Sequence, residues 1–178
     1  GATGEALSLQ RRAELALHRG ERERARDLLD EALDLARQTD IGFHLLDRIY
    51  GTRIALAADP DAAVAAVEEA QEAVRGFLET CPGCRITFAV PATVAAARAR
   101  RLDLTARYAP AVEYLAKVVM KLPAWDAAFE EVQAHIARAR GAPAADVASQ
   151  FAAAARRFRE AGHPLDAARC EGLAATPR

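Results

Sequence analysis

A chain of 178 residues that is 52% hydrophobic and 28% charged carries enough apolar material for a sizeable core, and too much to stay unfolded. Its formal net charge of −1 removes the bulk electrostatic argument for nucleic acid or an anionic membrane as partner. With no run of about 18 uninterrupted apolar residues, and no basic segment leading into an apolar one at the start, neither a membrane span nor a signal peptide is expected. Three cysteines are too few for a disulfide scaffold and fit a reducing cytoplasm. Arginine nearly displaces lysine, since Lys117 and Lys121 are the only lysines. The sequence opens on Gly1-Ala2 rather than methionine, and the expectation is a segment of a longer protein.

In chain order the pattern is helical throughout. Glu5–Arg19 predicts a first helix with Leu7, Leu9, Ala13, Ala16 and Leu17 on its apolar side, stopped by Gly20. Glu21–Thr39 predicts a second, in which Ala25, Leu28, Leu29, Ala32, Leu33 and Ala36 recur at three- and four-residue steps and form one face. After a turn at Asp40-Ile41-Gly42, a third helix over Phe43–Ala58 carries Gly51 in its middle. An isolated helical glycine costs about 1 kcal/mol against alanine, so Gly51 predicts a close helix contact. Asp59-Pro60 is a cap followed by a first-turn proline, opening a fourth helix to about Thr80.

Cys81-Pro82-Gly83-Cys84 breaks the pattern. A fifth helix follows over about Ile86–Arg101, with Pro91 either kinking it or marking its start. A sixth covers about Leu104–Lys121, with Pro110 moving its firm start towards Ala109. Leu122-Pro123 ends it. Ala124–Arg140 is a seventh helix with Trp125, Phe129, Val132 and Ile136 inward, and Gly141 and Pro143 separate it from an eighth that ends at Ala161. Gly162-His163-Pro164 stops that one, and Leu165–Ala174 forms a short final helix that covers the last apolar face.

The face of the second helix returns as Ala63, Ala66, Val67, Ala70, as Tyr108, Ala111, Val112, Leu115 and as Ala148, Phe151, Ala152, Ala155. The first residues of successive copies lie 38, 45 and 40 residues apart. In the first three copies a small residue of the preceding helix (Ala13, Gly51, Ala96) sits 12 residues before the motif, which predicts paired helices in register. The expected fold is all-α: a right-handed superhelix, or solenoid, of about four antiparallel helix pairs with a C-terminal capping helix. It is expected to form a single domain over 1–178.

Gly20, the small residues Ala13, Ala25 and Ala32, and the helix pairs at about 40-residue spacing resemble the tetratricopeptide repeat. The period exceeds the usual 34 residues, Tyr108 and Leu115 replace small residues, and the pair-closing prolines are irregular, so the repeat is degenerate. CPGCRITFAVPATVAAARAR and FAAAARRFREAGHPLDAARCEGLAA resemble the C-terminal helical arms of large bacterial ATP-binding transcriptional regulators of the LuxR type. That resemblance implies a sensor or interaction segment of a bacterial cytoplasmic regulator. The chain itself has no G-x-x-x-x-G-K-[ST] loop and no recognisable DNA-reading helix-turn-helix segment.

The sharpest local chemistry is Cys81 and Cys84. A C-x-x-C pair can form a redox couple, and a thiol at a helix start has a lowered pKa. Redox motifs of this type sit in a βαβ context, however, and zinc wants about four ligands, of which the pair supplies two. His163 and Cys170 could add to them only if the chain's end met its middle. An inter-helix turn with reduced thiols is therefore the expectation, with no metal, no cofactor and no catalytic residue. His18, His44, His135 and His163 show no ligand spacing, and the Glu68-Glu69 and Glu130-Glu131 pairs read as solvated faces.

If the first helix of each pair lines a concave groove, Gln10, Glu14, Arg48, Thr52, Thr93 and Arg100 flank the small contact residues. Two arginines among neutral polar groups would suit an acidic or extended peptide. The expected function is thus a non-catalytic protein-interaction or sensor module binding a partner protein, a peptide or another domain of its own polypeptide. Neither membrane nor nucleic acid is expected to take part. Two alternatives stand beside it: a small-molecule effector arm with a pocket around Phe88, Tyr114 and Trp125, and a redox or metal function at Cys81 and Cys84. Self-association through an exposed patch at Trp125 and Phe129 is a third alternative.

Overall fold

A computed structural model describes residues 1–39, 41–74 and 81–176. Among these the secondary structure is entirely helical, in nine α-helices and one π-helical segment, as the all-α reading expects. They are α1 (Ala2–His18), α2 (Arg22–Arg37), α3 (Phe43–Leu56), α4 (Pro60–Val74), α5 (Pro82–Arg98), α6 (Leu102–Tyr114), the π segment Leu115–Met120, α7 (Pro123–Ala139), α8 (Ala144–Glu160) and α9 (Pro164–Ala175). No helix among the described residues is long and apolar enough to cross a membrane. The expected extension of α4 to Thr80, and Asp40 of the expected turn, lie outside the described residues. The chain divides into two compact units, Gly1–Ala95 and Ala96–Arg178, with the division inside α5, where the sequence reading has one continuous domain.

In the N-terminal unit α1 packs on α2 and α3, and α3 also packs on α4. The six apolar residues read from α2 are all buried, from Ala25 to Ala36. Tyr50, Leu29, Ile49, Ile86 and Phe88 are its largest fully buried apolar side chains. Asp59 caps α4 through its Oδ1, which accepts the Ala62 N–H at 2.8 Å, and Pro60 takes the first helical position.

Gly51 meets α5. A Cβ built on it would overlap the Thr87 carbonyl oxygen and stand 3.3 Å from Pro91 Cγ. Thr87 is the residue whose oxygen would normally accept the N–H of residue 91, and Pro91 has none. The proline therefore neither starts nor ends α5. It lies inside the helix, and the carbonyl it releases is covered by the Gly51 Cα–H, a weak hydrogen-bond donor. Pro110 is also inside its helix, not at its start. It is exposed together with Ala106, so the carbonyl it releases can face water.

In the C-terminal unit α7 packs on α8, and α8 on α9. Ala134, Val147 and Phe151 form one core cluster, with Leu173 of α9 against it. The α9 helix buries Ala167 and Cys170, which fits the covering role read for the last helix. Trp125 and Phe129 are half-buried. The sixth predicted helix is interrupted, since its last turn and a half widens into the π segment, which ends at Lys121 with φ 50°.

Four helices close alike. Gly20 (φ 77°), Arg100 (54°), Gly141 (79°) and Gly162 (80°) take the left-handed conformation. The next residue's N–H then returns to a carbonyl five positions back: Glu21 to Ala16 at 2.9 Å, Arg101 to Ala96 at 2.9 Å, Ala142 to Ala137 at 3.0 Å and His163 to Phe158 at 2.8 Å. This double closure satisfies the last carbonyls of each helix, and glycine suits it because it lacks a Cβ. Arg100 does the same job with a side chain, at about 1 kcal/mol of strain. Replacing it, Arg100→Gly, is expected to stabilise the C-terminal unit by about 0.5 kcal/mol, after the greater freedom of glycine in the unfolded chain is subtracted. A urea midpoint that falls instead would show that the arginine side chain contributes more than its backbone costs.

Candidate thiol and metal-ligand site

The N-terminus of α5 brings the cysteine pair against α3. The Cys81 carbonyl accepts the first N–H bonds of the helix, from Cys84 at 3.0 Å and Arg85 at 2.9 Å, which makes Cys81 the capping residue and Pro82 the first helical residue. The Cys81 Sγ also accepts the Cys84 N–H, at 3.3 Å, so sulfur does the work an aspartate or serine oxygen usually does. Cys84 Sγ lies 3.8 Å from Nδ1 of His44, which stands in the first turn of α3. The ligand atoms of His44, Cys81 and Cys84 all fall within 4.8 Å of one another, and all three residues are half-buried.

The charges around this cluster are arranged in a pair. Arg85 donates to Asp47 at 2.7 Å, and the carboxylate is 5% exposed against 25% for the arginine. The guanidinium also lies over the Phe88 ring, 4.1 Å from its centre. Burial pushes the Asp47 carboxyl up, against the pull of Arg85. The two thiols split. The hydrogen bond from the Cys84 thiol holds Cys81 below its ordinary range, while burial and that same donated proton push Cys84 up to about 11. Burial, reinforced by Glu131, pushes Cys170 up to about 12 in the other unit.

Thiolate is the reactive form, so this ordering is visible to an alkylating agent. At pH 8 iodoacetamide is expected to modify Cys81 about ten times faster than Cys84, and Cys170 only as the protein unfolds. Peptide mass spectrometry of a timed reaction reads all three rates. Equal rates at Cys81 and Cys84 would contradict the hydrogen-bonded pairing.

Three of the residues read as lining a groove are turned inward. Gln10, Thr52 and Thr93 are buried, at 1%, 6% and 0% exposure. Gln10 Nε2 donates to Thr52 Oγ1 at 2.9 Å, Thr52 donates on to the Arg48 carbonyl at 3.0 Å, and Thr93 donates to the Ala89 carbonyl at 2.7 Å. These are internal links: both hydroxyls and the Gln10 amide N–H find partners inside, whereas Gln10 Oε1 is buried with no hydrogen-bond partner among the described residues. Glu14 pairs with Arg11 of its own helix at 2.7 Å, and Arg48 is half-buried. Arg100 is the turn residue of the C-terminal unit. Phe88 is fully buried in the N-terminal unit, whereas Tyr114 is 58% exposed in the other.

His44 is the residue that sequence reasoning missed. Its distance of 40 positions from Cys84 carries no ligand spacing, and only the packing of α3 on the start of α5 joins them. The one signal was Gly51, which marks the same helix contact two turns further along α3. The chain matches no protein-family model, no curated protein and no solved structure.

Proposed function

We propose that this chain is a non-catalytic interaction module of a bacterial cytoplasmic regulator, built as a superhelix of antiparallel helix pairs. Its partner is another protein or another domain of the same polypeptide. The observation that carries this reading is the apolar run around the π segment. Tyr114 is 58% exposed, Val118 52%, Val119 37% and Leu122 49%. Contiguous exposed apolar residues mark association surfaces, and π-helical segments concentrate at functional positions. The repeated left-handed closing turns support the stacked-pair architecture, and the resemblance to the tetratricopeptide repeat and to LuxR-type arms supports the regulatory setting.

The test is capture on the immobilised protein, with the wild type and a Tyr114→Ser/Val118→Ser/Leu122→Ser variant of unchanged helicity. A partner held by the wild type and lost by the variant supports the reading. Equal retention by both, or by neither, overturns it.

A further inference from the structure

We propose that His44, Cys81 and Cys84 bind a zinc-class divalent cation at the start of α5, a site independent of the interaction reading above. Three soft or borderline ligands converge from two helices that are distant in sequence. A tetrahedral ion with Zn–S about 2.3 Å and Zn–N about 2.0 Å requires neighbouring ligand atoms about 3.5–3.8 Å apart. His44 Nδ1 and Cys84 Sγ are already 3.8 Å apart, and Cys81 Sγ lies within 4.8 Å of both. Closing on an ion thus takes side-chain adjustments of about an ångström, with no rearrangement of either helix.

The electrostatics suit the ion. Two thiolates neutralise a divalent charge, the neutral imidazole adds none, and the adjacent Asp47–Arg85 pair is internally balanced. The chemistry of two sulfurs and an imidazole selects zinc, cadmium or cobalt(II) over magnesium or calcium, which take oxygen. Among the described residues three ligands are gathered, and a water or a donor from outside the chain would complete the tetrahedral set. Binding would fasten the start of α5 to α3, next to the Gly51 contact, and would stabilise the N-terminal unit by mass action.

The probe is Co²⁺ alone, added under anaerobic conditions to the full chain with its thiols reduced and counted. The expected result is one equivalent bound, with a sulfur-to-cobalt charge-transfer band and tetrahedral visible bands, both removed by one equivalent of Zn²⁺, and a raised Tm with Zn²⁺. Cys81→Ser and Cys84→Ser each abolish the charge-transfer signal, His44→Asn weakens binding at least about tenfold, and Cys170→Ser leaves it unchanged. Helicity by circular dichroism confirms that each variant folds. Absence of a stoichiometric cobalt spectrum in the reduced wild type overturns the site, as does a spectrum that survives both cysteine variants or disappears with Cys170→Ser.

Discussion

Gly51→Ala is expected to destabilise the N-terminal unit by about 2 kcal/mol, a shift of about 10 °C in Tm for a unit of this size. In an isolated helix the same change would stabilise, by about 1 kcal/mol, because alanine is the better helix former. The sign is therefore decided by what the new methyl group meets. Here it would overlap the Thr87 carbonyl oxygen, with Pro91 Cγ 3.3 Å away. The oxygen is backbone inside a helix and has no rotamer by which to move aside. Either α3 and α5 separate, losing the burial of Ile49, Ile86 and Phe88 between and beside them, or α5 bends at its proline. Urea unfolding of the variant settles the matter, since a higher midpoint would mean that the two helices do not touch at this residue.

The second large effect is expected at Glu131. Its side chain is 4% exposed and receives both arms of the Arg169 guanidinium, each at 2.9 Å. Asp166 takes a further Arg169 bond at 2.9 Å, and His135 Nε2 lies 3.8 Å from the Glu131 carboxylate. Burial alone would draw Arg169 down, but Glu131 and Asp166 outweigh it and hold the guanidinium above its ordinary value. Glu131→Ala removes the acceptor that joins α7 to α9 and leaves Arg169 with Asp166 alone. Breaking a buried pair from one side costs about 3–5 kcal/mol. The arginine side chain is 42% exposed and can be rehydrated, so the lower end, about 3 kcal/mol, is expected. Denaturation of Glu131→Ala and Glu131→Gln in low and high salt measures it. Glu131→Gln, which keeps the volume and an acceptor oxygen, should lose less than half as much. A loss near zero for Glu131→Ala would place the pair effectively in solvent.

The helices themselves were legible because their causes are local. Three- and four-residue spacing of apolar side chains, Asp59-Pro60 at a start, and glycines at 20, 141 and 162 act through neighbours in the chain, and each appears where the pattern places it. Gly51 was legible for a related reason, since a residue that weakens a helix must be repaid by contact elsewhere. Proline was read less well. Pro91 and Pro110 stay inside helices, where one freed carbonyl lies against Gly51 and the other belongs to an exposed residue, and neither circumstance is written in the neighbouring residues.

The candidate site divides in the same way. Cys81 and Cys84 stand out as a spaced pair, and their place at a helix start follows from Pro82. His44 joins them only through the packing of α3 against α5, and Asp47 with Arg85 beside them is likewise a tertiary pairing. Three of the polar residues assigned to a groove, Gln10, Thr52 and Thr93, are buried for one physical reason. Spacing along a helix puts Gln10 with Glu14, Arg48 with Thr52 and Thr93 with Arg100 on one face each, but whether a polar face turns to water or to a waiting hydrogen-bond partner is decided by the neighbouring helix. Sequence periodicity determined the presence of the helices and much of the core, including all six apolar residues read from α2. Tertiary packing decided which side chains from distant segments meet, because the free energy of those meetings depends on distance, burial and partner, none of which has a period along the chain.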